Sequence, residues 1–122
     1  MLRTTLAVIA LAAAALVAVV AGNAAGTKER FDLKGEVYAT FKIELKTAAG
    51  RRVTHLKPGT YVIKVEDHSS IHNFHLRGPG VNKSTTVGGT GERLWTVRLR
   101  AGTYRFVCDP HATSMRGSFR VG

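Results

Sequence analysis

Apolar and polar side chains alternate along most of the chain, and this period of two constrains the fold more than any other feature. Residues 41–46 place Phe41, Ile43 and Leu45 on one face and charged side chains on the other. Similar alternation recurs over residues 61–66, 95–100 and 104–108. Successive side chains of a strand point to opposite faces of a sheet, so each segment predicts a β-strand. After the N-terminal segment no stretch has helical period or length, and the fold class is therefore predicted to be all-β.

Glycine and proline separate the predicted strands. We expect seven or eight short strands, packed as two antiparallel sheets, within a domain of residues 37–122. Residues 26–36 are polar and charged and are expected to form an N-terminal arm or a first strand. Residues 81–91 are rich in glycine, serine and threonine, which predicts a long surface connection.

The N-terminal segment, residues 1–25, has the features of an export signal. Arg3 precedes an unbroken apolar run from Leu6 to Val20, and small residues follow as far as Ala25. This hydrophobic helix is expected either to be cleaved or to remain as a membrane anchor that tethers the domain. Both alternatives predict an exported protein, periplasmic or extracellular.

The lone cysteine, Cys108, cannot form an internal disulfide, so a ligand role is favoured for it in an exported protein. It begins a Cys-x-x-His-x-x-x-Met motif that includes His111 and Met115. A second motif, His-Asn-x-His, begins upstream at His72. Taken singly, a buried cysteine or methionine is ordinary core filler. Two imidazoles, a thiolate and a thioether together are the ligands of a trigonal copper site with a weak axial sulfur, and they predict one copper ion.

Strand alternation indicates which upstream histidine faces inward. In an extended strand, His72 shares a face with Phe74 and Leu76, whereas His75 points the opposite way. His72 is therefore the candidate ligand, and His75 is the reserve. Cys108 also lies on the apolar face of its strand. The remaining two histidines lie in polar, turn-like stretches and are predicted to be on the surface: His55 and His68.

The two motifs together resemble those of the cupredoxins, the small blue copper proteins such as plastocyanin, pseudoazurin and amicyanin. The resemblance extends from residue 41 to residue 122 and implies a Greek-key β-sandwich. It implies that His72, Cys108 and His111 bind a type 1 copper ion, with Met115 as the long axial ligand. It also implies that Asn73 joins the two ligand segments by hydrogen bonding, and that His111 is the exposed port for electrons.

The charge of the chain bears on its partners. The formal net charge is +10, and only one of the eighteen basic residues, Arg3, lies in the N-terminal segment. A cationic domain implies an acidic partner or surface. The basic residues are scattered and not run together, which argues against nucleic-acid binding. Arg77 and Arg116 lie next to the two motifs and predict a positive rim. An apolar docking patch around His111 is predicted from Gly78, Pro79, Gly80, Val81, Ala112 and Met115.

The function that these features favour is an exported, monomeric carrier of single electrons that cycles copper between Cu(II) and Cu(I) and meets redox partner proteins. We expect no enzymatic activity, because no Ser/His/Asp pattern, paired carboxylate site or open catalytic metal site stands out. Two alternatives from other classes remain. One is a copper-binding trafficking or storage protein with the same ligands, and the other is a metal-free β-sandwich that serves as an interaction module.

Overall fold

Nine strands and one short 3-10 turn make up the structure, a computed structural model that describes residues 28–122. The predicted N-terminal hydrophobic helix of residues 1–25 lies outside the described residues. Among the residues that are described, no helix has the length and apolar character needed to cross a membrane. The strands are β1 (Leu33–Tyr38), β2 (Lys42–Thr47), β3 (His55–Leu56), β4 (Gly59–Asp67), β5 (His75–Gly78), β6 (Val81–Ser84), β7 (Gly91–Leu99), β8 (Gly102–Val107) and β9 (Arg116–Val121). The 3-10 turn spans Asp109–His111.

The strands form two sheets, which confirms the predicted all-β sandwich. The four-stranded sheet has the order β2-β1-β4-β7, and the five-stranded sheet has the order β3-β9-β8-β5-β6. The expectation of purely antiparallel sheets is wrong for two pairs, since β1 pairs with β4 and β3 pairs with β9 in parallel. Between β1 and β4 the chain leaves the first sheet to form β3 in the second. It then returns to the first sheet as β4, which lies on the side of β1 opposite β2 and runs parallel to β1.

The structure has nine strands within residues 28–122 and not the predicted seven or eight. Short strands at a sheet edge show little alternation of apolar and polar residues, so the sequence pattern does not reveal them. β6 has only one buried residue, Val81, and it lies inside the stretch that was expected to be a surface connection. β3 is two residues long. β1 begins at Leu33, so the first strand occupies the end of the predicted arm and continues into the predicted domain.

The core fills the space between the sheets with the inward side chains of the alternating strands. Ile63 and Val65 of β4 are fully buried, as is Tyr104 of β8. Aromatic rings stack within this layer, with 5.8 Å between the ring centroids of Phe74 and Phe106. The sandwich is thus held by residues that the period of two identifies, and burial of such side chains stabilises the fold by roughly 1.5–3 kcal/mol each.

Tyr104 joins two turns at the end of the sandwich where β8 begins. Its hydroxyl accepts a hydrogen bond from the Arg100 backbone N–H at 3.0 Å, and the carbonyl oxygens of Arg100 and Pro79 lie 2.9 and 3.0 Å away as acceptors for its one proton. Its ring packs against Gly78, where an added Cβ would stand 2.1 Å from a ring carbon. Only glycine leaves room for the ring at this position.

Replacing Gly78 with alanine should therefore lower the free energy of unfolding by about 1–3 kcal/mol, because the new methyl group must displace the buried ring. Urea denaturation of Gly78→Ala measures the loss. Gly88→Ala is the matched control, because a Cβ at residue 88 would meet no atom within 4 Å. Equal denaturation midpoints for the two variants would contradict this view of the packing.

Candidate metal centre

Strand pairing brings the two predicted motifs to the same end of the sandwich. β5 and β8 are antiparallel, and His75 is the register partner of Val107. The residues before β5 therefore lie beside the residues after β8. As a result, His72 and Cys108 are neighbours although they are 36 positions apart in the sequence.

Three donor atoms converge at this end. The Nδ1 atoms of His72 and His111 are 3.0 Å apart, and the Cys108 Sγ lies 3.5 Å from the first and 3.7 Å from the second. The point equidistant from the three atoms lies about 2.0 Å from each of them. This is close to the distances at which zinc binds in proteins, ~2.0–2.1 Å from histidine nitrogen and ~2.3 Å from cysteine sulfur. Within residues 28–122, these three residues form one of two groups of side chains that could hold a metal ion.

Burial encloses the centre on most sides. His72 and Cys108 have no exposed surface, and Met115 is 1% exposed. His111 is only partly buried, so it is the one of the four predicted ligands that reaches solvent. The second ring nitrogen of His72, Nε2, is buried without a hydrogen-bond partner in the described part of the chain. The ring is therefore oriented by packing and by its Nδ1 contacts.

Backbone hydrogen bonds close residues 108–115 into a compact loop, which we call the ligand loop. The Cys108 N–H donates to the Met115 carbonyl at 3.0 Å, and the His111 N–H donates to the Cys108 carbonyl at 3.0 Å. The Met115 N–H in turn donates to the His111 carbonyl at 2.8 Å. Cys108, His111 and Met115 are thus fixed to one another, and Met115 lies buried beneath the loop.

Asn73 connects the ligand loop to the upstream segment, as predicted. The Asp109 backbone N–H donates to the Asn73 Oδ1 at 2.7 Å, and the Asn73 amide donates to the Asp109 Oδ2 at 2.7 Å. The Asn73 amide also lies 3.3 Å from the Thr85 carbonyl. These bonds hold the two residues that neighbour His72 and Cys108 in a fixed relation.

His75, the reserve ligand, lies apart from the three converging atoms. Its Nδ1 is 2.9 Å from the Asp109 carboxylate, and its Nε2 is 2.6 Å from the Asn82 Oδ1. Burial raises the pKa of Asp109, but hydrogen bonds from Asn73 and His75 and the charge of Arg77 outweigh it and leave the pKa below its usual value. His75 therefore helps to hold Asp109, which is hydrogen bonded to Asn73 next to His72.

The other two histidines lie on the surface, as predicted. His55 is hydrogen bonded to the Gly122 carbonyl oxygen. His68 lies 3.1 Å from Glu36 and 3.4 Å from Glu66, and these three form the second group with metal-binding residue types. Lys34 lies between the two carboxylates, at 3.1 and 3.3 Å, so the group is an ion-pair network with its own cation.

The predicted apolar patch around His111 is wrong in most of its residues. Gly78 packs against Tyr104, and a Cβ at Gly102 would meet the Pro79 ring, so residues 78–81 lie where β8 begins. The ligand loop follows the other end of β8. Met115 is also too deeply buried to form a surface. Alternation identifies faces but does not reveal which end of a strand a turn reaches.

Phe41 contacts the centre, and nothing in the sequence predicted this. Its ring centroid lies 4.7 Å from that of His72 and 5.0 Å from that of His111, in edge-to-face arrangements. The sequence assigns Phe41 to an inward strand face, whereas it lies in the turn between β1 and β2 and is 56% exposed. The pattern carries no signal that could have distinguished the two positions.

Comparison with known proteins identifies relatives of this chain. Residues 52–122 match a family described as copper binding proteins, plastocyanin/azurin family. No curated protein sequence matches it. Similar solved structures include a methionine-to-glutamine mutant of rusticyanin, with a TM-score of 0.54, 20% identity and coverage of 74% of this chain and 76% of that chain.

Two further structures show the same likeness. An oxidized methionine-to-leucine mutant of amicyanin has a TM-score of 0.51 and 18% identity, with coverage of 79% of this chain and 87% of that chain. Rusticyanin from Thiobacillus ferrooxidans has a TM-score of 0.50 and 21% identity, with coverage of 74% and 75% respectively. At such identities the likeness shows a shared fold.

Removing the Asn73 side chain should loosen the connection between the two ligand segments. We expect Asn73→Ala to lower the free energy of unfolding of the metal-free protein by about 1–3 kcal/mol, because its partner Asp109 loses two hydrogen bonds, one of them to a carboxylate. Urea denaturation gives the value. Asn82→Ala, which removes one hydrogen bond made by an exposed residue, should cost less, and a larger loss in this control would refute the assignment.

Proposed function

Since the chain belongs to the plastocyanin/azurin family of copper-binding proteins, we propose that it carries single electrons between redox partner proteins by cycling one copper ion between Cu(II) and Cu(I). One type 1 copper ion fits the family and this set of residues. The observation that carries the proposal is the convergence of two imidazole Nδ1 atoms on the Cys108 sulfur. We assign His72, Cys108 and His111 as ligands and Met115 as the axial ligand.

The chemistry of these donors suits the role. Thiolate and thioether favour Cu(I), imidazole serves both oxidation states, and a bound copper would supply one-electron redox chemistry. The chain contributes rigidity, because the ligand loop is closed by backbone hydrogen bonds and joined to the upstream segment through Asn73. Ligands held in this way move little between oxidation states, which favours fast transfer.

His111 is the proposed route for electrons. It is the only one of the four proposed ligands with appreciable exposure. With four ligands assigned and three of them buried, no open position is left for a substrate, which supports a carrier and not an enzyme. The apolar N-terminal run, Leu6 to Val20, supports export to the periplasm or the extracellular space, after cleavage or with a membrane tether.

The partner is proposed to present an acidic surface, because one face of this domain carries four arginines that form no ion pair within the described residues. Seven of the eight acidic residues lie in the arm or the four-stranded sheet, where Glu36, Glu44 and Glu66 pair with lysines. The outer face of the five-stranded sheet instead presents four exposed arginines, which we call the arginine face: Arg77, Arg105, Arg116 and Arg120.

The arrangement of the arginine face favours an anionic partner. Arg77 and Arg105 are direct cross-strand partners, and like charges in this position are destabilising. None of the four arginines forms an ion pair within residues 28–122. Arg116 follows Met115 directly, so the face extends to the candidate metal centre. A carboxylate-rich partner would relieve the repulsion and steer a monomeric carrier into productive contact.

Adding Cu(II) to the purified domain should produce a visible thiolate-to-copper absorption band, and Cys108→Ser should abolish it because no thiolate remains. Absorption spectroscopy of the copper-loaded proteins makes the measurement. His68→Ala is the control for copper bound elsewhere, and it should keep the full band. If the unmodified protein gives no such band, and a weaker copper absorption persists in Cys108→Ser but disappears in His68→Ala, the metal lies at the surface cluster and the proposal is overturned.

Voltammetry then separates an electron carrier from a trafficking or storage protein. A carrier should give a reversible one-electron wave and rapid self-exchange between the Cu(I) and Cu(II) forms. An irreversible wave accompanied by loss of the metal would favour the storage role. A protein that never develops the band would favour a metal-free interaction module.

Reversing one charge on the arginine face should slow electron transfer with an anionic reagent. We expect Arg105→Glu to reduce the rate at which hexacyanoferrate(III) oxidises the Cu(I) protein at low salt by several-fold, with the difference largely gone at about 1 M salt, where the Debye length is about 3 Å. Stopped-flow absorption gives the rates. Arg98→Glu makes the same change of charge on the four-stranded sheet, and equal slowing in this variant would count against a special role for the arginine face.

A further inference from the structure

The backbone at Phe41 has a conformation that large side chains avoid. Phe41 has φ of 59°, and it is the only non-glycine residue with positive φ among residues 28–122. Tyr38 pairs with Lys42, so three residues connect β1 to β2, and Phe41 is the last of them. The left-handed position of a three-residue hairpin loop is one that glycine normally occupies. A phenylalanine at this point is strained by its own Cβ.

Contacts between the Phe41 ring and two histidines offset the backbone strain. Phe41 lies edge-to-face against both His72 and His111, at interplanar angles of 71° and 80°. The two imidazoles are themselves edge-to-face, with 4.7 Å between their centroids. Each of the three rings thus contacts the other two, and the Nδ1 atoms of the two imidazoles lie 3.0 Å apart.

The difference in exposure between these residues shows that the Phe41 side chain lies at the surface and the residues of the centre lie in the interior. Phe41 is 56% exposed, whereas His72 and Cys108 are fully buried. An exposed side chain in a strained turn contributes little to the core, but this one contacts the fully buried ring of His72 and the partly buried ring of His111. Strained backbone is concentrated at functional sites, where the surrounding structure holds it in place.

We propose that Phe41 is a cover on the metal centre, which limits how fast metal ions and small ligands enter and leave. The inference rests on the copper site proposed above, and it adds a residue that binds no metal. Water, small anions and competing metal ions are the species that the ring excludes. Opening the cover requires only movement of one exposed side chain in a short turn, so loading of the centre does not require the sandwich to unfold.

The test compares ring-deleted and ring-retaining variants. Phe41→Gly removes the ring and suits the positive φ, and Phe41→Asn is a second deletion that the left-handed conformation also tolerates. Both should take up Cu(II) about tenfold faster than the unmodified chain, as judged by growth of the absorption band, and should lose copper to EDTA faster by a similar factor. Phe41→Tyr keeps the ring and should retain the original rates. Ile71→Ala removes a neighbouring apolar side chain that is 53% exposed, and it should have little effect.

A second readout uses the metal-free protein. Alkylation of Cys108 by iodoacetamide should be about tenfold faster in Phe41→Gly and Phe41→Asn than in the Phe41→Tyr and Ile71→Ala controls. Unchanged alkylation in both deletion variants would overturn the proposal, and so would equal acceleration in Ile71→Ala. If no protein develops the copper band, the proposed function fails, yet the alkylation rates still decide whether Phe41 covers the centre.

Discussion

The antiparallel pairing of β5 with β8 is the constraint on which the rest of the molecule depends. Because His75 is aligned with Val107, the segment before one strand meets the loop after the other, and residues far apart in sequence become neighbours. A shift of this register by one residue would turn every side chain of β5 to the opposite face. The inward Leu76 and Phe106, which face each other across this pair, resist such a shift because both are buried. The core therefore fixes the site.

Hydrogen bonds refine what the register sets approximately. The pairing brings His72 near Cys108, but Asn73 and Asp109 set their separation through two bonds of 2.7 Å. His75 and Asn82 support Asp109 from the outer face. Because each partner in this series is held by another, hydrogen bonds as well as packing keep the donor atoms in place. Preorganisation of this kind is how a protein supports a metal site beyond its direct ligands.

The sequence indicated which side chains of each strand face the core, but it did not indicate which strands pair with one another. Alternation identified Tyr104, Phe106 and Cys108 as inward residues, and it distinguished His72 from His75. It could not reveal the two parallel pairs, since the direction of a strand depends on which sheet the chain visits in between. Nor could it show that residues 78–81 lie away from the ligand loop or that Phe41 contacts the imidazoles, because both follow from pairing. The net charge was evident from composition, whereas the grouping of four arginines on the outer face of one sheet follows from the register.

The complete burial of Cys108 has a consequence for the chain before it acquires a metal. It is the only thiol, and it has no exposed surface. Disulfide exchange requires a thiolate to reach the sulfur atom of its partner, which the enclosing side chains prevent here. Two copies of the folded chain should therefore not become cross-linked in an oxidising medium, and the sulfur should stay reduced.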